Sequence, residues 1–326
     1  MVMLYSQLFV TPPLPTASFE GQTIIVTGAN VGLGKEAARH FARLKAAKLI
    51  LAVRNTAAGE EAKADIINTT SCDDPSSIEV WHLDLASYES VKAFAARATQ
   101  TLARIDAVVE NAGVAKTRWE TAEGHELTIT VNVISTFLLA LLLLPKLKAT
   151  AAREVGVEPR LSIVTSSVHG STDLPEHRRG QNTTTFEVLD HQPASAAVMR
   201  RRYATSKLLE ILVCRQLSPR LEGSGVILNF LSPGLCHSAL GRESGWAFAA
   251  VKFLIARTTE VGSRTLVAAA AAGRESHGKY MRDGEVADGE LSAFVRSADG
   301  DSAAEQVWTE LSAILEEIQP GVTKNI

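Results

Sequence analysis

Short aliphatic and β-branched runs alternate along the chain with longer amphipathic stretches. The runs are TIIVT from Thr23, LILAV from Leu49, IEVWHL from Ile78, AVVE from Ala107, LSIVTS from Leu161 and VILNFL from Val226. Each has the length of a strand, and the intervening segments carry helical spacing. Strands apolar on both faces and separated by helices predict a parallel sheet covered on both sides, a doubly wound α/β architecture. The apolar run at 137–145, FLLALLLLP, falls short of the roughly 20 residues needed to span a bilayer. It reads as a buried helix.

Two regions break the alternation. Residues 170–202 turn polar, with Pro175, Arg178, Gly180, Asn182 and Pro193 scattered through them. Neither period is present, which predicts an insert or long loop. Residues 282–298 are irregular ahead of a final amphipathic helix near 303–318. At the other end, prolines forbid a helix over 11–15, so residues 1–20 read as an extended arm. The expected division is that arm, one α/β domain over 21–281, and a C-terminal tail over 282–326 with a terminal helix.

A chain of 326 residues, 46% hydrophobic and 21% charged, can bury a sizeable core as one α/β unit. Its net charge of -3 comes without a basic block, so no footprint for nucleic acid is present. Cys72, Cys214 and Cys236 are odd in number, far apart and without a CxxC pair. They suit a reducing compartment, and a cytoplasmic location is expected. The first residues lack the basic start and long apolar run of a signal peptide. His169, His177 and His191 lie in or beside the insert without a tight ligand spacing, so no metal is expected.

The first strand leads into Thr27-Gly28-Ala29-Asn30-Val31-Gly32-Leu33-Gly34, followed by the helical KEAARHFARL. Glycines here let the chain turn sharply and let its backbone approach a pyrophosphate at the N-terminus of the helix. A plain β-to-α turn is the competing reading. The second strand ends at Arg54, 20 residues past Gly34, where an acid would ordinarily hold the ribose hydroxyls of NAD. A guanidinium there suits a 2′-phosphate, so the expected cofactor is NADP(H). Asn55 adjoins Arg54, and Lys35 inside the first helix adds charge or is simply a surface residue.

Tyr203-Ala204-Thr205-Ser206-Lys207 forms a YxxxK sequence on a predicted helix. Residues four apart share a helical face, so phenol and ammonium can reach the same point. Nearby positive charge favours the phenolate, which makes Tyr203 a candidate proton shuttle. The pair follows the strand LSIVTSS, whose end carries Ser166 and Ser167.

Taken together, these motifs resemble the short-chain dehydrogenase/reductases over roughly residues 21–234. Gly28, Gly32 and Gly34 follow the family's TGxxxGxG, and Asn111-Ala112-Gly113 follows its NNAG with Glu110 in place of the first asparagine. TGANVGLGKEAAR, LAVRN and YATSK look most like the retinol-dehydrogenase-like branch, including fungal members tied to secondary metabolism. The resemblance implies a Rossmann-like fold and a catalytic set of Asn132, Ser167, Tyr203 and Lys207. It places Asp84 and Leu85 beside the adenine, Asn111, Ala112 and Gly113 under the cofactor, and Pro233 and Gly234 against the nicotinamide, with Ser238 near the family's usual threonine.

The resemblance further implies a small-molecule carbonyl or alcohol substrate. Trp246, Phe248 and Phe253 in the 235–259 loop would form an apolar wall suited to a lipophilic or aromatic compound. The apolar face of LLEILVCRQL after Lys207 would permit a homodimer, or equally serve the core. Ser167 and Tyr203 are 36 residues apart, more than the dozen or so of compact members, so the insert either shapes the entrance or decorates the surface. Two rival readings fit less well. A silent cofactor-binding regulator would usually have lost the tyrosine or lysine, and an epimerase-type relative would carry TGxxGxxG at Thr27.

Overall fold

The aliphatic runs pair edge to edge into one sheet. The computed structural model describes residues 2–70, 72, 74–153, 156–178, 183–237 and 255–326. In chain order these form α1 (Val2–Phe9), β1 (Thr23–Thr27), α2 (Gly32–Arg43), β2 (Lys48–Val53), α3 (Thr56–Thr70), β3 (Ile78–His82), α4 (Tyr88–Thr101) and β4 (Ala107–Glu110). A small hairpin of β5 (Thr121–Ala122) and β6 (His125–Glu126) precedes α5 (Leu127–Arg153) and β7 (Arg160–Val164). Then come α6 (Thr185–Asp190), α7 (Ala196–Arg220), β8 (Ile227–Ser232), α8 (Thr259–Ala271), β9 (Tyr280–Arg282), β10 (Glu285–Val286) and α9 (Ala298–Ile318).

The sheet runs β10-β9-β8-β7-β4-β1-β2-β3. All neighbours are parallel except β10, which folds back antiparallel on β9. Because β1 lies between β2 and β4, the winding reverses there and opens a crevice at the carboxyl ends of the strands. Alternate side chains divide the core in two. Ile25, Val108 and Ile163 face α4, α5, α7 and α9, whereas Ile24, Val26 and Val109 face α2, α3 and α8.

Three segments depart from the sequence reading, while the apolar run is the buried helix it was expected to be. The N-terminal arm is extended only after residue 9, since α1 ends before the prolines. The apolar run belongs to a 27-residue helix, α5, long and apolar enough to cross a bilayer, yet its most apolar window is 89% buried inside the fold. It is therefore a core helix. In the insert, Thr184 and Glu187 close a capping box that starts α6. Phe186 and Leu189 then enter the core, and α7 begins at Ala196, seven residues ahead of Tyr203.

The segment after Arg282 is likewise integral. β10 closes the sheet edge, and α9 starts at Ala298 and buries Val307, Leu311 and Leu315 in the main core. The face after Lys207 offered as a dimer surface is occupied within the chain itself. Leu208, Leu209, Ile211, Leu212 and Val213 are all fully buried.

Because Leu311 is fully buried in the same cluster as Phe230 and Leu212, L311A removes core contacts and leaves a cavity. The expected loss in unfolding free energy, read from urea denaturation, is about 2–5 kcal/mol. A variant as stable as the parent would make residues 298–318 an appendage.

Candidate active site

β1 and β4 are tied where their carboxyl ends meet. The Thr27 hydroxyl accepts the backbone N–H groups of Asn111 and Ala112, each at 2.9 Å, and the Asn111 amide donates to the Thr27 carbonyl at 2.8 Å. The chain then turns through Gly28 at φ +67°, a conformation that favours glycine. A Cβ on Gly34 would lie 2.5 Å from both the Asn111 amide nitrogen and the Gly28 carbonyl, so the turn closes only without one. Helix α2 starts at Gly32, and its N-cap Val31 supplies no side-chain hydrogen bond.

That cradle is the test of cofactor fit. Uncapped N–H groups and the helix dipole attract a phosphate, and the glycines leave room for one to approach. Asn30 is half-buried in the turn, while Leu33 packs towards Gly262 on α8. Beyond β2, Arg54 is exposed, and the Asn55 side chain accepts the Ala58 N–H at the head of α3. Lys35 pairs with Asp65 on α3 at 2.8 Å. Asp84 folds onto the Ala86 N–H at 2.9 Å, and the cap of α4 is Ser87 rather than Asp84. Leu85 contributes its side chain to the core.

The candidate acid/base residues meet at the end of β7. Tyr203 is half-buried, with its ring centroid 5.7 Å from the Lys207 ammonium. The ammonium itself is buried and donates to the Val164 carbonyl at 2.9 Å and to Glu210 at 2.7 Å. Burial pushes the Tyr203 phenol above its ordinary value, with Lys207 and a hydrogen bond to Ser166 pulling the other way. Burial also works against the Lys207 cation, but the Glu210 carboxylate outweighs it and holds the lysine charged.

Of the two adjacent serines, Ser166 is the one whose hydroxyl favours the phenolate. Ser166 is the last extended residue after β7, whereas Ser167 opens a 3-10 turn and its N–H is taken by the Ser232 hydroxyl at 3.1 Å. Asn132 sits in a π-helical turn of α5, Thr130–Ser135, of a kind common at functional sites. Its side chain grips Val114 through both backbone groups, at 2.8 and 2.9 Å, and donates to Ser206 at 2.9 Å. It thus braces α7 one residue before Lys207. Gly113 lies against Asn132 and Lys207.

Pro233 and Gly234 follow β8 under the N-terminal helix. Gln7 bonds the backbone of Leu235 and Ile255, and Arg257 binds the carbonyls of Ser6 and Val10 while pairing with Asp283 at 2.6 Å. Ser238, Trp246, Phe248 and Phe253 lie outside the described residues. Sequence reasoning passed over Glu210, although a charge inside the apolar LLEILVC stretch was its visible signal. Gln7 and Arg257 gave no local signal, since their partners are remote in sequence. No group of three or more metal-ligating side chains occurs among the described residues.

A family model described as short chain dehydrogenase matches residues 22–177. The chain is 48% identical over 328 residues to the short chain dehydrogenase/reductase dmxR8 of Cryptosporiopsis sp., covering 100% of each. It is 46% identical to the short-chain dehydrogenase anuD of Penicillium roqueforti, over 98% of this chain and 84% of that one. An NADPH-bound carbonyl reductase from chicken fatty liver superposes with a TM-score of 0.62 at 20% identity, over 82% of this chain and 99% of that one. An uncharacterized protein from Mycobacterium paratuberculosis gives a TM-score of 0.62 at 24% identity, over 95% and 97%. At these identities the structural likenesses bear on the fold.

A methyl group at Gly34 must displace either Asn111 or the Gly28 carbonyl. G34A is expected to fold, by circular dichroism, and to bind NADPH roughly tenfold more weakly or worse, about 1.4 kcal/mol, in a fluorescence titration. Unchanged affinity would remove the turn from the binding site.

Proposed function

The chain belongs to the short-chain dehydrogenase/reductase family, oxidoreductases that act on CH–OH or carbonyl groups with a nicotinamide cofactor, and from that premise we propose an NADP(H)-dependent enzyme for lipophilic or aromatic small molecules. It reduces a ketone or aldehyde, or oxidises the corresponding alcohol, and serves secondary-metabolite biosynthesis, as the resemblance to fungal members suggests. The observation that carries this reading is the meeting of Tyr203, Lys207 and Ser166 beside the glycine turn, at the carboxyl ends of the strands.

The turn Thr27–Gly34 and the head of α2 would hold the pyrophosphate, and Arg54, exposed beyond β2, would pair with the 2′-phosphate. Asp84 and the backbone at Leu85 would face the adenine. Asn111, Ala112 and Gly113 would support the cofactor from β4, and Pro233 and Gly234 from β8. When bound, the nicotinamide supplies or accepts the hydride.

In the reducing direction Tyr203 gives its phenolic proton to the substrate oxygen. The tyrosine O–H bond breaks, an alcohol O–H bond forms, and the phenolate left behind is stabilised by the Lys207 cation. Ser166 takes the part that the resemblance implied for Ser167, donating to the substrate oxygen while keeping the phenol in line. Asn132 keeps α7 in register through Ser206, so that phenol and ammonium stay on one side of the helix.

NADPH is expected to bind more tightly than NADH in nicotinamide fluorescence titrations, and R54A to remove most of that difference. Equal binding of the two by the parent protein would demote Arg54 to a surface residue. Y203F should lose turnover by at least roughly 10²-fold with NADPH affinity nearly unchanged. S166A should lower kcat by roughly 10²-fold, well beyond the effect of S167A. The reverse order for the two serines would return the role to Ser167.

A further inference from the structure

Two buried carboxyl groups next to this machinery have no part in the reaction as described. Glu110 ends β4, where the family motif has asparagine, and is 3% exposed with neither carboxyl oxygen hydrogen-bonded. Alternation along the strand puts its side chain on the same side of the sheet as Val108, in the cluster that contains Leu208 and Ile211 of α7. Glu210 projects from α7, is 2% exposed, gives one oxygen to Lys207, and leaves Oε2 without a hydrogen-bond partner.

Charge counting restricts what these groups can be. Lys207 and an ionised Glu210 neutralise one another at 2.7 Å. A second anion at Glu110, dry and unpartnered, would be strongly disfavoured. The group at Glu110 is therefore the neutral acid.

We propose that Glu210 is a positioning residue that holds the Lys207 ammonium and, through it, governs how readily Tyr203 yields its own proton, while Glu110 stays a neutral acid and adds no second negative charge to the site. The electrostatics agree with this arrangement. Burial and then the Glu210 charge push Glu110 well above the usual carboxylate range, and burial pushes Glu210 up to about 7 against the pull of Lys207. At Tyr203 the Glu210 charge opposes that of Lys207. The other titratable groups facing the unit are the thiols of Cys214, further along α7, and Cys236, after β8. β7 and the π turn of α5 present the neutral Val164 carbonyl, Thr165 and Asn132.

The inference rests on Tyr203 and Lys207 being the acid/base pair, so its test uses full-length, cofactor-free protein and two readouts other than turnover. The infrared spectrum of the parent at neutral pH should contain the carbonyl band of a protonated carboxyl shielded from solvent, and E110Q should lack it. The ultraviolet titration of Tyr203, taken as the difference from Y203F, should move to lower pH by about one unit in E210Q, the size of one charge at close range. E210D should restore the parent midpoint, and E110Q, which swaps a neutral acid for a neutral amide, should leave it in place.

Absence of the infrared band in the parent overturns the neutral Glu110. An unmoved midpoint in a cooperatively melting E210Q overturns the positioning role, as does an E110Q shift as large as that of E210Q. Should E210Q fail to melt cooperatively, E210D against the parent and the infrared pair decide the matter. Turnover by Y203F would fault the acid/base assignment itself, independently of these outcomes.

Discussion

A buried cation sets the arrangement around the end of β7. Lys207 is 4% exposed, and an ammonium there keeps its charge only if the surrounding structure supplies acceptors. The Val164 carbonyl and the Glu210 carboxylate do so, at 2.9 and 2.7 Å. Both bonds require α7 to lie against β7 in one register, and the Thr165 hydroxyl fixes it by donating to the Lys207 carbonyl at 2.9 Å. Asn132 braces the same turn of α7 from α5. Tyr203, one helical turn earlier, is thereby brought over the strand ends, where a phenol can exchange a proton beside a fixed positive charge.

The cofactor cradle is built at the same edge by a different means. The winding of the sheet reverses between β1 and β4, so the helices that follow them diverge and leave a crevice. Thr27 and Asn111 bind the two strands together across that gap, and Gly34 lets α2 start close enough for its free N–H groups to face it. Phosphate site and acid/base pair are therefore neighbours because both need the carboxyl ends of the central strands. Burial on all other sides keeps the fields of Lys207 and Glu210 strong.

Irregular parts of the chain complete the walls. The N-terminal helix is held to the loop after β8 by Gln7 and by Arg257, whose guanidinium is buried among the carbonyls of Ser6 and Val10. The insert is anchored by Asp190, which accepts the Glu126 N–H at 3.0 Å and pairs with His125, and by Glu310 of α9, which accepts the Thr185 N–H at 2.9 Å. Such long-range bonds from side chain to backbone satisfy loop groups that a sheet or helix would otherwise pair.

Most of the architecture was legible in the residues themselves. Six aliphatic runs became six strands because a strand buried on both faces has to be apolar throughout, and the glycine spacing and YxxxK pattern were visible because turn and helix geometry act over a few residues. The different backbone settings of Ser166 and Ser167 were not legible, since they depend on where extended backbone gives way to a 3-10 turn. Nor were the helix before the prolines, the docking of α6, or the closing strands β9 and β10, whose short segments gain stability only from what they pack against. Composition and local pattern thus determined the fold class and most of the candidate chemistry. Helix spacing already set Glu210 three residues from Lys207, but tertiary structure alone decided that this pair would be buried and that Glu110 would lie unpartnered near it, because burial is defined by neighbours that the chain brings in from 43 to 100 residues away.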